Sequence, residues 1–157
     1  MKVRDAMNPK VVVATKDISI KEVARIMAKY KIGSLIIVDK EKMKGLINYE
    51  IAVERENIIG VITESDIVRK VVALGLDLTQ TKVEEVMTTN VIIVNADMDI
   101  TEACQIMVRN KIKRLPVIDG GNLAGIITTT DIISVEPKLI EDLAKVMLFS
   151  ERQLFAG

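Results

Sequence analysis

Residues 3–39 reappear at residues 83–119 without a gap, and 12 of the 37 aligned positions are identical, where about two would match by chance. The chain is one unit written twice. Val3/Val83, Met7/Met87, Asp17/Asp97, Ile20/Ile100, Glu22/Glu102, Met27/Met107, Lys31/Lys111, Leu35/Leu115 and Asp39/Asp119 are among the shared pairs, so one register fixes core and turn positions together. Past Asp39 and Asp119 the match resumes at a new offset, with residues 57–67 against 122–132, which leaves 15 extra residues in the first copy. This insert, roughly residues 41–55, reads EKMKGLINYEIAVER beside the following ENIIGVITESDIVRK. It reads as a degenerate second copy of the same strand and turn, and its short apolar runs predict a hairpin-like extension or an added strand. Ile51 stands where Asp66 does in that duplicate, so the insert supplies no equivalent carboxylate.

Two halves of a 157-residue chain are each too small to bury a sufficient core alone, so the repeats are expected to pack intimately. Hydrophobic residues make up 49% of the chain and aromatic ones 3%, so the core must be aliphatic, as suits mixed helix and strand. Acidic and basic residues balance at 22 each, which argues against a primary role on nucleic acid. No apolar run nears the roughly 20 residues of a spanning helix, and MKVRDAMNPK has no signal-peptide core. A cytoplasmic protein with no membrane partner is expected. The lone Cys104 has no internal disulfide partner and reads as a small buried hydrophobe on a helix face.

Each copy begins with a β-rich run, 11–14 or 91–94, and a polar turn. Ser19 and Asp99 stand three positions before Glu22 and Glu102, the pattern of a reciprocal helix cap. Ile20, Val23, Ala24 and Met27 share one helix face, as do Ile100, Ala103, Cys104 and Met107, and both faces are predicted core. Strands follow at 34–38 and 114–118, then at 58–62 and 123–127; Asp119-Gly-Gly-Asn122 is a hairpin turn. Pro116 lacks a backbone donor, so its strand should lie at an edge or beside a bulge. A second helix starts near Asp66 or Asp131. Ile67, Val68, Val71 and Val72 lead the first of these to a Gly75 cap, and Pro137 interrupts the second. Pro137 then suits the first turn of a further helix, with Leu139, Ile140, Leu143, Val146 and Met147 as its apolar stripe. Leu143 and Met147 are the candidates for its buried contact, which either caps the core or pairs subunits. The divisions are residues 1–75, 76–135 and a helical tail at 136–157.

At this point the sequence resembles the cystathionine β-synthase (CBS) domain family over residues 1–135. The marks are Val-x-x-x-Met at 3–7 and 83–87, the strand Arg-Leu-Pro-Val-Ile-Asp at 114–119, and a Gly-(two aliphatics)-Thr-x-x-Asp segment at 60–66 and 125–131. The order repeats in both copies. The resemblance implies an α+β fold, a CBS-domain pair of two β-α-β-β-α repeats packed with pseudo-two-fold symmetry, plus a C-terminal helix.

Thr63 ends a strand and Asp66 opens a helix, as do Thr128 and Asp131, so hydroxyl and carboxylate converge on unpaired helix amides. A carboxylate can accept both hydroxyls of a ribose, and hydroxyls at a helix end suit phosphate. A helix cap alone accounts for the same residues. The resemblance implies that adenosine nucleotides are held there, in clefts combining residues of both repeats. One cleft would use Asp131, Thr128, Thr130, Arg114 and Ile126 with Lys10, Ile32, Gly33 and Ser34. The second and weaker would use Asp66, Thr63, Ser65 and Val61 with Asn90, Ile112 and Lys113, and Arg114 at its margin. Arg114 aligns with Ser34, so only the first cleft has a guanidinium where the family often places one for phosphate. An exposed Arg at a strand start is the plainer reading.

An enzyme is poorly supported: there is no His, one Cys and no Walker loop, and neither nucleophile nor general base stands out. Glu50, Glu54 and Glu56 read as a solvated face, and neither metal nor catalytic cofactor is expected. The resulting expectation is a regulatory module sensing AMP, ADP or ATP, with a homodimer and an unidentified regulated protein as partners. S-adenosylmethionine or NAD as ligand, or an interaction module with no small molecule, are the alternatives.

Overall fold

The computed structural model describes residues 1–39 and 52–147. The strand or hairpin expected of the insert lies outside the described residues. The chain divides into two compact units, a C-terminal one of Met1–Val11 with Ile92–Gly157 and an N-terminal one of Val12–Val91. Each unit thus contains the opening segment of the other repeat. In the C-terminal unit the Val3 amide donates to the Met98 carbonyl and the Arg4 amide to that of Ala96, both at 2.9 Å; in the N-terminal unit Val83 donates to Ile18 at 2.9 Å and Glu84 to Lys16 at 3.2 Å. Val3 and Val83 are fully buried, and this burial anchors the two segments.

In the N-terminal unit β1 (Val13–Thr15) pairs in parallel with β2 (Ser34–Val38), which pairs antiparallel with β3 (Ile58–Thr63). Helix α1 (Ile20–Tyr30) connects β1 to β2, and α2 (Glu64–Ile67) follows β3 and runs into a π-helical turn, Val68–Val72. The C-terminal unit repeats this with β4 (Val94–Asn95), α3 (Ile100–Asn110), β5 (Arg114–Asp119), β6 (Asn122–Thr128) and α4 (Thr129–Val135). A fifth helix, α5, spans 140–147 after a 3-10 turn at Pro137–Leu139. The α+β character and the β-α-β-β-α order are as expected. Gly120 and Gly121 take φ of 58° and 83°, the backbone of the primed hairpin turn.

Both sheets carry the same irregularity. The register shifts between Ile37 and Val38 against β3, and between Val117 and Ile118 against β6. Pro116 precedes the second bulge. Although β5 is the middle strand, β4 reaches it only from Val117 onward, so the missing proline donor faces no neighbouring strand there.

Four local expectations need correction. The first strands begin later than 11 and 91, at Val13 and Val94, because parallel pairing starts only where β2 and β5 run alongside. The caps of α1 and α3 are one-sided: Ser19 accepts from the Glu22 amide at 3.2 Å, and Asp99 from the Thr101 amide at 2.8 Å. Other first-turn amides are taken by the opening segments instead, Ile20 by the Thr81 carbonyl and Ile100 by that of Met1, each at 3.0 Å. Ala24 is exposed, whereas its counterpart Cys104 is buried at 1%. The tail explains this last difference. Leu143 of α5 is fully buried in the cluster that includes Cys104, and α3 and α5 together flank a cavity of about 280 Å³ lined by Cys104, Val108, Leu139 and Asp142. Burial, with the nearby Asp142, pushes the Cys104 thiol above its ordinary pKa. The tail stripe is itself only partly buried, since Val146 is enclosed while Ile140 and Met147 remain exposed; the helix turns only one narrow face inward.

Candidate ligand-binding site

The turn from β6 into α4 closes on itself through three hydrogen bonds. The Thr128 amide donates to Asp131 Oδ2 at 2.9 Å, the Thr128 hydroxyl donates to the same oxygen at 3.0 Å, and the Asp131 amide donates to Thr128 Oγ1 at 3.2 Å. This is a reciprocal helix cap, so the capping reading of the motif is realised. It leaves Asp131 Oδ1 outside the cap. The aspartate is half-buried and Thr130 beside it is exposed. Because the Thr128 hydroxyl hydrogen is directed at Asp131, Thr130 is the better placed of the two hydroxyls to donate to a ligand.

Arg114 opens β5 directly opposite Thr128, so the two side chains share one face of the sheet. The Thr129 amide donates to the Lys113 carbonyl at 2.9 Å, tying the start of β5 to the start of α4. Ile126 exchanges two backbone hydrogen bonds with Asn8, at 2.9 and 3.0 Å, and the Lys10 amide donates to Asn8 Oδ1 at 3.0 Å. Six of the residues expected in the first cleft, Lys10, Arg114, Ile126, Thr128, Thr130 and Asp131, therefore belong to one unit. Ile32, Gly33 and Ser34 belong to the other, where they join α1 to β2 and the Gly33 carbonyl accepts from the Glu64 amide at 3.0 Å.

The matching turn in the N-terminal unit has the same cap, with the Thr63 amide on Asp66 Oδ2 at 3.0 Å and the Asp66 amide on Thr63 Oγ1 at 3.2 Å. Its surroundings differ. Lys70 Nζ lies 3.2 Å from Asp66 Oδ1 and donates to the Val86 carbonyl at 3.2 Å. Position 135, one turn after Asp131, holds Val instead. Of the second-cleft residues, Val61, Thr63, Ser65, Asp66 and Asn90 are in this unit, whereas Ile112 and Lys113 are in the C-terminal unit. Val61 uses its backbone to bridge Thr88, the counterpart of Ile126 with Asn8.

Two participants, Lys70 and Asn8, are absent from the residues expected from the sequence. Lys70 was legible as an acid-then-base pair at i,i+4. Asn8 acts through its backbone, for which the side-chain pattern holds no signal. Gly125 is the trace of that contact: a Cβ there would lie 2.8 Å from both the Asn8 carbonyl oxygen and the Met7 sulfur, while one at Gly60 would strike the Met87 thioether. Glycine in the Gly-x-x-Thr-x-x-Asp segment and Met in the Val-x-x-x-Met segment are thus two sides of one contact.

The family model for the CBS domain matches residues 3–53 and 83–138. The chain belongs to the CBS domain family. Its two CBS repeats coincide with the two copies read from the sequence. Among curated relatives, the uncharacterized protein MK0525 of Methanopyrus kandleri is 36% identical over 134 residues, 85% of this chain and 61% of that protein. The chain thus spans about three fifths of that relative. The CBS domain-containing protein YhcV of Bacillus subtilis is 31% identical over 130 residues, covering 83% of this chain and 81% of its own length. Among solved structures, the CBS domain pair of protein MJ0100, in complex with 5'-methylthioadenosine and S-adenosyl-L-methionine, matches with a TM-score of 0.70 at 29% identity, covering 88% of this chain and 97% of that one. Among the described residues no helix is long and apolar enough to cross a membrane, and no group of three or more His, Cys, Asp or Glu is placed to hold a metal.

Proposed function

We propose that this CBS pair is a non-catalytic regulatory module that binds an adenosine-containing nucleotide, AMP, ADP or ATP, with Asp131 as its principal anchor. The observation that carries the reading is the Asp131 carboxylate itself: half-buried, held in one orientation by its cap, and with Oδ1 outside that cap. A fixed carboxylate of this kind receives a ribose diol without first being ordered. Arg114 and the exposed Thr130 lie on the strand and helix that flank it, where they suit a phosphate. The adenosine ligands of the MJ0100 domain pair support the same ligand class. Binding would alter packing around the turn and so report to a protein partner.

Calorimetry with AMP, ADP, ATP, S-adenosylmethionine and NAD tests the ligand class. Asp131→Ala should remove most affinity for nucleoside and nucleotide alike. Arg114→Ala should weaken phosphorylated ligands selectively, by about 1.5–3 kcal/mol, and leave adenosine unchanged. No binding of any of these ligands by the wild-type protein overturns the proposal. A homodimer belongs to the same reading. Val68, Val72 and Leu74 are 58%, 59% and 67% exposed, an apolar strip along the end of the second helix that suits a subunit contact. Sedimentation showing a monomer at every concentration would exclude it.

A further inference from the structure

We propose that Lys70 is a built-in occupant of the Asp66 carboxylate and closes that second turn to the ribose that its twin at Asp131 would accept. The inference rests on the adenosine reading of the Asp131 turn and assigns a role to a residue which that reading leaves unused. The two turns match in cap, strand register and bulge. They differ at the residue four positions after the aspartate, Lys70 in one and Val135 in the other.

Asp66 has its Oδ2 on the Thr63 amide and its Oδ1 on the lysine ammonium, so both carboxylate oxygens are engaged. The side chain of Asp66 is 15% exposed, and a charge so enclosed favours a partner held at contact distance. Lys70 is held at its other side by the Val86 carbonyl, 3.2 Å away, so it does not sweep freely through solvent as an isolated surface pair would. The backbone assists. Lys70 lies inside the π-helical turn Val68–Val72, whereas α4 runs as a regular helix to Val135. Wider π turns bring residues four apart closer to eclipse than an α-helix does, and such turns recur at functional positions. A ribose hydroxyl approaching Asp66 must displace one charge-assisted bond to make another, whereas at Asp131 Oδ1 the described residues set no such competitor.

The probe is adenosine, which carries the ribose and base but no phosphate for a lysine to attract. Its binding is measured by calorimetry on the full chain for wild type, Asp131→Ala, Lys70→Val, and the Asp131→Ala/Lys70→Val double variant. Lys70→Val installs the residue found at the twin position, and Lys70→Met, which keeps the aliphatic stem, stands in if the valine variant folds poorly. Wild type should bind one adenosine per chain and Asp131→Ala should lose it. The double variant should regain one site, about tenfold tighter than Asp131→Ala alone, the equivalent of one charge-assisted bond. If wild type binds and the double variant stays as weak as Asp131→Ala, the role of Lys70 is refuted while the Asp131 reading stands. If Lys70→Val instead weakens binding, Lys70 is a ligand contact and the inference fails. Absence of adenosine binding in all four proteins overturns the inference, and it overturns the Asp131 reading as well where AMP, ADP, ATP, S-adenosylmethionine and NAD also fail to bind wild type.

Discussion

One position of the same helix face is covered in one unit and open in the other. On α3, Cys104 is buried in the cluster that includes Leu143 of the tail helix, while the equivalent Ala24 on α1 faces solvent. A repeat sequence therefore specifies the elements of each unit, but the environment of a repeated position depends on what else the chain brings to it. The aspartate turns teach the same lesson at smaller scale, since Lys70 against Val135 changes what surrounds a reciprocal cap that both turns share.

The largest expected effect breaks or upholds this contrast directly. Cys104→Asp should cost about 3–5 kcal/mol, because it buries an unpaired charge near Asp142, whereas Ala24→Asp should stay within about 0.5 kcal/mol. Urea unfolding of both variants checks it. Similar losses at the two positions would mean that α5 does not cover α3 in solution.

Next in size is the pair of glycines. Gly125→Ala should cost about 1–3 kcal/mol, since the new methyl meets the carbonyl of Asn8, a residue whose backbone exchanges two hydrogen bonds with Ile126. Gly60→Ala should cost less, because its obstacle is the flexible Met87 side chain. Thermal unfolding would rank them, and the reverse order would show that the Asn8 strap yields more easily than a methionine does.

The smallest effect is electrostatic. Arg4 donates to Asp97 Oδ1 at 2.7 Å and to Asp119 Oδ2 at 3.2 Å; its bond to Asp97, with its charge, holds the Asp97 carboxyl below its ordinary value, Lys2 adding a little. A carboxyl whose folded pKa lies below its unfolded one contributes stability that is present above the unfolded pKa and fades as pH falls through the folded one. Wild type should therefore lose this contribution progressively below about pH 4. Arg4→Glu, which installs the residue found at the twin position Glu84, should weaken the protein at neutral pH and flatten its acid limb. Guanidinium unfolding from pH 7 to 3 checks this, and high salt should shrink the difference because the groups are exposed. An unchanged acid limb in Arg4→Glu would show that the clamp contributes nothing to folding.

Much of this architecture was legible in the chain because its signals are local. Alternating and helical periodicities, the Asp119-Gly-Gly-Asn122 turn and the Thr-x-x-Asp caps involve residues within a few positions of one another, and their conformations follow from short-range sterics and hydrogen bonding. Even Lys70 lay within that range, four residues from Asp66. The β-strand starts were less legible, because parallel pairing at Val13 and Val94 depends on where a distant strand runs. The reciprocal caps expected of Glu22 and Glu102 do not form, while the Ile20 and Ile100 amides find carbonyls at residues 81 and 1. Only tertiary structure could decide that the opening of each repeat joins the other unit, that α5 seals Cys104 and leaves Ala24 open, and that Gly125 must admit the Asn8 carbonyl. Sequence by itself determined what each segment would become. Which of two equivalent helix positions, 24 or 104, was covered, and that Lys70 is braced against the Val86 carbonyl, were set by burial and by contacts between residues far apart in the chain, energies that no window of neighbouring residues contains.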